Sequence, residues 1–370
     1  MRLLLVALIF AATQTNANDY LNARAELIAA YESEDYVEMQ AAAERALAAR
    51  PGHAGALYNL AFAQVLNDQP ESALSTLEKL LAQRVDFGVA GNEAFAALKS
   101  LPRWPSYEAR VAALYEPVGR VEVIATHDVT DFIPEGIAVA GDTVYLGSIR
   151  HGTIVRLGEV PEVIAEAADG PHWSVFGMRL SGNRLWYVSS AIAEFDALVD
   201  EDAGKNGLFA IDLDSGDVVV SALLPANERR QVLGDLVFID DGTVMLADQA
   251  DGIVYRYSIA DGEFSEFVPR GAIGSPQGMV VDASGEHVYV ADYIGGLFRV
   301  GLDDGSVEKI GAPETISLYG IDGLYRYGGC LVAIQNGLRP NRVIAMELSD
   351  DGLQVTGARI LAMNLAEFDE

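Results

Sequence analysis

A pattern of short β-strands that recurs five times between residues 134 and 348 constrains the fold more than any other feature of this chain. After Pro117, β-branched and aromatic residues alternate with polar ones, and Asp-Gly, Ser-Gly and Gly-Gly pairs separate the runs. Each repeat opens with a strand that usually has Gly in its second motif position, and three further strands follow. The five opening motifs are Glu135-Gly136-Ile137, Phe176-Gly177-Met178, Gly234-Asp235-Leu236, Gln277-Gly278-Met279 and Asp322-Gly323-Leu324.

The repeat predicts a β-propeller over residues 119–370. Four antiparallel strands recurring every 40 to 50 residues or so are typical of a propeller blade, because one such sheet buries both faces only when neighbours pack on it. A β-sandwich is the competing fold, but it does not repeat one four-strand register five times. The blades should start near residues 134, 175, 233, 276 and 320. A strand at 121–126 is expected to pair into the last blade.

The N-terminus predicts export to the periplasm or secretion. Arg2 precedes an apolar run over residues 3–12 and small residues at 15–17, which together are typical of a signal peptide cleaved near Ala17. No later run approaches the ~20 apolar residues of a membrane span. The single cysteine, Cys330, rules out an internal disulfide and a thiolate-rich metal site.

The formal net charge of −29 limits the partners of the chain. Such a charge repels nucleic acid and anionic membrane surfaces, so neither is expected as a partner. Cations and cationic or neutral ligands fit better, although solubility alone would also explain the charge.

Residues 19–117 predict a separate helical domain. The segment is rich in Ala, has apolar residues at helical spacing, and is divided by turn signals at Pro51-Gly52 and Asn67-Asp68. The unit that begins at Ala54 resembles the tetratricopeptide repeat, with looser units before it and at 94–104. Such repeats present a face that can bind a peptide or protein, and a helical cap without a ligand is the alternative.

The strand motifs resemble those of the gluconolactonase and senescence-marker-protein superfamily, which includes paraoxonase-like and strictosidine-synthase-like propellers. The resemblance covers residues 120–370 and is most specific at 134–139, 276–300 and 320–324. It implies a six-bladed propeller with five full blades, in which residues 364–370 resemble the start of a truncated sixth.

The same resemblance implies a divalent cation, commonly calcium, held where the first strands begin. Carried over by position, its ligands would be Glu135, Gln277 and Asp322, while Phe176 and Gly234 stand where two further ligands are expected. A hydrolase of a small lactone or ester would follow, with the cation polarising a water or a carbonyl. The alternative is that Glu135 and Asp322 line a channel without metal.

A lactonase also needs a general base, and three residues are candidates: Asp322, Asp235 and His127. Asp235 is expected to turn away from the site unless the backbone bulges, because side chains alternate along a strand. A long acidic segment at 194–205 is either a lid or a solvated insertion. The second functional hypothesis is a non-catalytic binding or scaffold protein that uses the helical repeats and a propeller face.

Overall fold

The computed structural model describes residues 19–127, 129–167 and 170–368. The predicted signal peptide at 1–17 lies outside these ranges. By contact, the chain divides into two compact units: unit 1 contains residues up to Arg120 with 291–300 and 306–370, and unit 2 contains 121–290 with 301–305. Within the described ranges, no helix is long and apolar enough to cross a membrane.

Antiparallel helices make up the first part of unit 1. Asp35 caps the second helix by accepting a hydrogen bond from the Glu38 amide at 3.0 Å, and His53 caps the third through the Ala56 amide at 3.2 Å. The helices are α1 (19–32), α2 (Tyr36–Ala49), α3 (Ala54–Leu66), α4 (Pro70–Ala82) and α5 (Trp104–Leu114), with 3₁₀ segments at Val89–Gly91 and Glu93–Ser100.

The predicted repeat at Ala54 is confirmed as the α3–α4 hairpin, but the prediction for the following unit was partly wrong. Residues 93–100, predicted as part of a helical unit, form a 3₁₀ segment, and α5 begins at Trp104 with Pro105 in its first turn. A proline is tolerated there because the first amides of a helix have no intrahelical acceptor.

The rest of the chain forms five four-stranded antiparallel sheets, one for each sequence repeat, as the blades of a five-bladed propeller. Within every sheet the strands follow chain order. The strands are β1 (Pro134–Ala140), β2 (Thr143–Ser148), β3 (Ile154–Leu157), β4 (Glu162–Ala165), β5 (Ser174–Ser181), β6 (Arg184–Ser190), β7 (Asn206–Asp212), β8 (Val218–Leu223), β9 (Leu233–Asp240), β10 (Thr243–Asp248), β11 (Ile253–Ser258), β12 (Glu263–Val268), β13 (Pro276–Val281), β14 (His287–Asp292), β15 (Gly296–Gly301), β16 (Val307–Lys309), β17 (Ile321–Tyr327), β18 (Cys330–Gln335), β19 (Arg342–Leu348) and β20 (Val355–Met363).

Two expectations at the ends of the propeller are corrected. The described part of the chain contains five blades, and residues 366–368 form a 3₁₀ turn instead of starting a sixth. Residues 121–126 form no strand. Val118 instead makes an isolated bridge to Met363, with hydrogen bonds of 2.9 and 3.0 Å between their main chains. Val123 and Ile124 are 62% and 77% exposed, so their β-branched pattern has no sheet to pack on.

The helices and the last blade of unit 1 share one apolar core. Leu338 and Met363 lie in the same buried cluster as Leu77, Phe95 and Trp104. The helical segment therefore buries apolar surface against β-structure.

Candidate functional site at the first strands

A β-bulge recurs at the start of the first strand, at the positions where the sequence predicted ligands. The register with the second strand shifts between Pro134 and Ile137 in β1 and between Val175 and Met178 in β5. The corresponding shifts lie between Leu233 and Asp235 in β9 and between Ile321 and Gly323 in β17. A bulge interrupts the alternation of side chains and changes the direction of the extra residue. Glu135, Phe176, Gly234 and Asp322 all lie within these bulges.

The glycines of these motifs allow adjacent blades of unit 2 to approach closely. A Cβ on Gly136 would lie 2.1 Å from the Phe176 carbonyl oxygen. One on Gly177 would lie 2.8 Å from the Cα of Asp235. Both distances are too short for a side chain, so contact between blades explains the glycines at positions 136 and 177.

Asp235 links three blades within unit 2. Its Oδ2 accepts hydrogen bonds from Arg179 Nη2 at 3.1 Å and from the Met279 amide at 2.9 Å, and the residue is 8% exposed. Arg179 belongs to the second blade and Met279 to the fourth. These contacts favour a structural role for Asp235 over that of a general base.

Asp322 lies in unit 1 beside two polar side chains that were not among the predicted site residues. Its Oδ2 accepts a hydrogen bond from Asn336 Nδ2 at 2.6 Å. The pKa of the Tyr293 phenol is raised, mainly by burial and secondarily by the negative charge of Asp322. Asn336 directly follows β18, and Tyr293 directly follows β14. The repeat alignment places them at equivalent positions, which is the signal that could have identified them.

In unit 2, Gln277 and Gln249 bring amide groups to the first strands. Gln277 Nε2 donates to Ser275 Oγ at 3.1 Å, which leaves its Oε1 as an acceptor. A Cβ on Gly234 would meet Gln249 Oε1 at 2.6 Å. The Gln249 side chain therefore occupies the space left by the missing side chain of Gly234. Glu135, the predicted carboxylate ligand of this unit, is exposed.

The histidines show little of the geometry expected of a general base. His127 packs edge-on against Phe132, with 4.7 Å between ring centroids. His172 is buried, its Nε2 lies 2.9 Å from the Gly152 carbonyl oxygen, and burial lowers its pKa. His172 is thus a neutral core residue.

Donor chemistry decides which metal could bind here. The described residues contain no group of three or more His, Cys, Asp or Glu side chains placed to hold an ion. Phe176 is 3% exposed and belongs to an apolar cluster, so the second blade offers no ligand. The first strands therefore offer only carboxylate and amide oxygens as ligands. These are the ligand atoms that a hard cation such as Ca²⁺ prefers, but they are fewer than Ca²⁺ usually takes.

A second polar feature, which was not predicted from the sequence, lies at the end of the second strand of every blade. The last residue of each is polar and at most 1% exposed. Ser190 Oγ accepts from the Leu233 amide of the next blade at 3.0 Å, and Asp292 Oδ1 accepts from the Gly295 amide at 2.9 Å. The five residues are Ser148, Ser190, Asp248, Asp292 and Gln335. They satisfy backbone groups where the chain turns, as buried polar side chains generally do.

The acidic segment at 194–205 is anchored to the propeller. Phe195 is buried, and Asp202 accepts from Trp173 Nε1 at 3.1 Å and from Lys205 Nζ at 2.7 Å. These hydrogen bonds lower the pKa of Asp202, that of Lys205 most strongly. Asp196 Oδ2 lies 2.8 Å from His151 Nδ1.

Comparison with known families agrees with the helical architecture of the N-terminal part. Residues 30–101 match the family model of the tetratricopeptide repeat. None of the curated proteins matches the chain in sequence.

Three solved structures illustrate how distant the similar folds are. The chain is 14% identical to a PQQ-bound aldose sugar dehydrogenase of Streptomyces coelicolor, with a TM-score of 0.47 over 66% of this chain and 86% of that one. The chain is 10% identical to a protein of unknown function from Bacteroides caccae, with a TM-score of 0.45 over 61% of this chain and 81% of that one. It is 13% identical to virginiamycin B lyase of Staphylococcus aureus, with a TM-score of 0.44 over 62% of this chain and 70% of that one. Similarity at this level assigns no activity to this chain.

Proposed function

We propose that the propeller is a hydrolase of small lactones or esters whose functional groups lie at the bulges of its first strands. The recurrence of the bulge at Glu135 and Asp322 is the observation that carries the proposal, because bulges are over-represented next to active sites. Asp322 is the proposed general base. Asn336 orients its carboxylate through Oδ2, and Oδ1 accepts no hydrogen bond from a described residue, so it can take a proton from water.

The proposal includes a divalent cation, calcium by donor chemistry, with Glu135, Gln277 and Asp322 as ligands. When bound, such a cation would polarise a carbonyl group of the substrate. The protein's own contribution is to hold the carboxylates and the Gln277 amide in place. Gln249, which covers Gly234, is an additional oxygen donor in unit 2. With so few charged ligands we expect weak binding, because affinity for Ca²⁺ depends on the number of carboxylates.

Calorimetric titration of the mature protein with Ca²⁺, together with hydrolysis assays on simple lactones and esters, tests both parts. Glu135→Gln and Asp322→Asn should each reduce Ca²⁺ affinity and kcat/KM by about tenfold or more, equivalent to ~1.4 kcal/mol per factor of ten. Glu263→Gln, at an exposed position of β12, is the matched control and should change neither. Turnover without Ca²⁺ binding would show that the metal is not part of the mechanism and would leave Asp322 as the proposed general base. Absence of both would reject the proposal.

A non-catalytic binding or scaffold protein is the second candidate, and the helical repeats favour it. Leu21, Ile28 and Tyr31 are 45% to 51% exposed, and their spacing places them on one face of α1. Such a face suits an amphipathic peptide segment. Site-specific photo-crosslinking from position 28, with position 37 of α2 as the exposed control, would identify a partner. Equal labelling from both positions would argue against a specific face.

For location, we propose the periplasm or the exterior of the cell. The apolar run at 3–12 supports this location. The net charge of −29 supports the proposal that the propeller takes a neutral or cationic ligand and has no nucleic-acid or membrane partner. The mass of the mature protein after expression would show whether the chain is cleaved near Ala17.

A further inference from the structure

A cavity of about 390 Å³ within unit 1 is lined by arginines. One wall is the end of α4, another is the loop at 313–317, and the floor comes from β18, β19 and β20. Arg84, Arg342 and Arg359 all contribute to the lining, with Gln83 and Gln335 beside them. The volume falls in the range of small-molecule sites, which is roughly 300 to 1,000 Å³.

Arg342 is the buried cation of this cavity, with 5% of its surface exposed. Its Nε donates to Gln335 Oε1 at 2.6 Å, and its Nη1 donates to the carbonyl oxygens of Gln83 at 3.0 Å and Arg84 at 2.7 Å. These acceptors are all neutral, and two of them lie just after the C-terminal end of α4. Among the described residues, Nη2 has no hydrogen-bond acceptor.

Two further arginines, Arg84 and Arg359, line the same cavity at exposed positions. Within the described ranges, none of Arg84, Arg342 and Arg359 forms a salt bridge, although the chain has 54 acidic residues against 25 Lys and Arg. A buried charge without a counter-charge is costly, and in this chain it is placed in a cavity instead of against one of many available carboxylates. Burial, with a smaller contribution from Arg84, lowers the pKa of Arg342 to about 10, which leaves it positive at neutral pH.

We propose that this cavity binds a small organic anion through its carboxylate or phosphate group. The guanidinium of Arg342 provides the buried contact, and Arg84 and Arg359 provide charge at the rim. Guanidinium groups match the paired oxygens of carboxylates and phosphates geometrically, which a point charge does not. The site uses none of the residues at the first-strand bulges and does not depend on the proposed hydrolysis.

Calorimetric titration of the full mature chain at low ionic strength, with succinate and with inorganic phosphate as probes, tests the proposal. We expect saturable binding of at least one probe, and the tighter of the two identifies the preferred oxyanion. Arg84→Gln and Arg359→Gln should each weaken binding about three- to tenfold. Arg342→Lys should weaken it further, because lysine retains the charge and loses the planar pair of donors.

Arg184→Gln is the matched control, since Arg184 is an exposed arginine of β6 outside the cavity. It removes the same charge and should leave the affinity unchanged. An equal loss in Arg184→Gln would show that general electrostatic attraction explains the binding, and failure of both probes to bind would overturn the proposal. If Arg342→Lys does not fold, the two exposed rim variants still decide the question.

Discussion

At the scale of single residues, the contacts of a carboxylate indicate whether its role is structural or catalytic. Its position in a sequence motif does so less well. Asp235 and Asp322 lie one position apart in the repeat alignment, and the sequence offered both as a general base. Asp235 is fixed by Arg179 and the Met279 amide, whereas Asp322 is oriented by one amide and keeps one oxygen available. The sequence could not distinguish them, because the partners of Asp235 come from blades separated from it by tens of residues.

Replacement of Asp235 by Ala should therefore reduce stability. The change leaves the partly buried Arg179 without this carboxylate and the buried Met279 amide without its acceptor. We expect a loss of about 3 kcal/mol in the free energy of unfolding, measured with chemical denaturant. Asp241→Ala, at an exposed turn position of the same blade, should cost less than about 0.5 kcal/mol. Equal stability of the two variants would contradict the role assigned to Asp235.

His53 should make the stability of unit 1 depend on pH. Burial, with the positive charges of Arg50, Lys309 and Arg24, lowers its pKa from 6.5 to about 4. Between these two pH values the unfolded chain binds a proton that the folded chain does not, so stability falls as the pH falls from 6.5 to 4. His53→Asn retains a capping acceptor for the Ala56 amide and cannot titrate.

Across that window the wild type should lose about 2 kcal/mol more than His53→Asn, in denaturant titrations at a series of pH values. His53→Ala is the companion variant. It should show the same reduced pH dependence and be about 1 kcal/mol less stable than His53→Asn at pH 7, because it lacks the cap. A parallel pH dependence in the wild type and His53→Asn would contradict the prediction.

At the scale of elements, the first strand combines a bulge that redirects one side chain with a glycine that brings blades together. Runs of β-branched and aromatic residues between turn signals predicted the strands, including β6 and β7, which bury residues on both faces. They could not predict the bulge, which is a property of pairing with the second strand. The same limit explains the error at 121–126, where the pattern is typical of a strand but no strand among the described residues pairs with it.

Gly136→Ala should disturb the packing of the first two blades of unit 2. The new Cβ would lie 2.1 Å from a backbone oxygen of Phe176, which cannot move as a flexible side chain can. We expect a loss of about 3 kcal/mol, measured by thermal or chemical unfolding. Gly158→Ala is the matched control, because its nearest atom would be 3.7 Å away. It should be neutral within about 0.5 kcal/mol. A similar small effect in both variants would show that the blades are not packed at Gly136 as described.

At the scale of the whole molecule, the sequence showed two architectures, but it did not show that the helices share a core with the last blade. The helical and strand patterns are local in the chain, whereas contacts such as the Asn364 amide donating to the Leu114 carbonyl oxygen at 2.9 Å join residues 250 positions apart. The arginine-lined cavity is likewise formed by residues that lie far apart in the chain. Its residues come from α4 and from strands more than 230 positions later, so no local motif marks it.

Met363→Ala should consequently destabilise the helices, although the residue lies at the end of the last strand. Met363 is fully buried in the cluster that contains Leu77 and Trp104, and its truncation should cost about 2 to 4 kcal/mol. Circular dichroism at 222 nm should show the helical signal melting at a lower temperature. Leu223→Ala removes similar apolar volume from a residue that is 54% exposed, so it should leave that transition unchanged. If the helices melted in Met363→Ala as they do in the wild type, they would form a core of their own, and the shared core of unit 1 would not contribute to their stability.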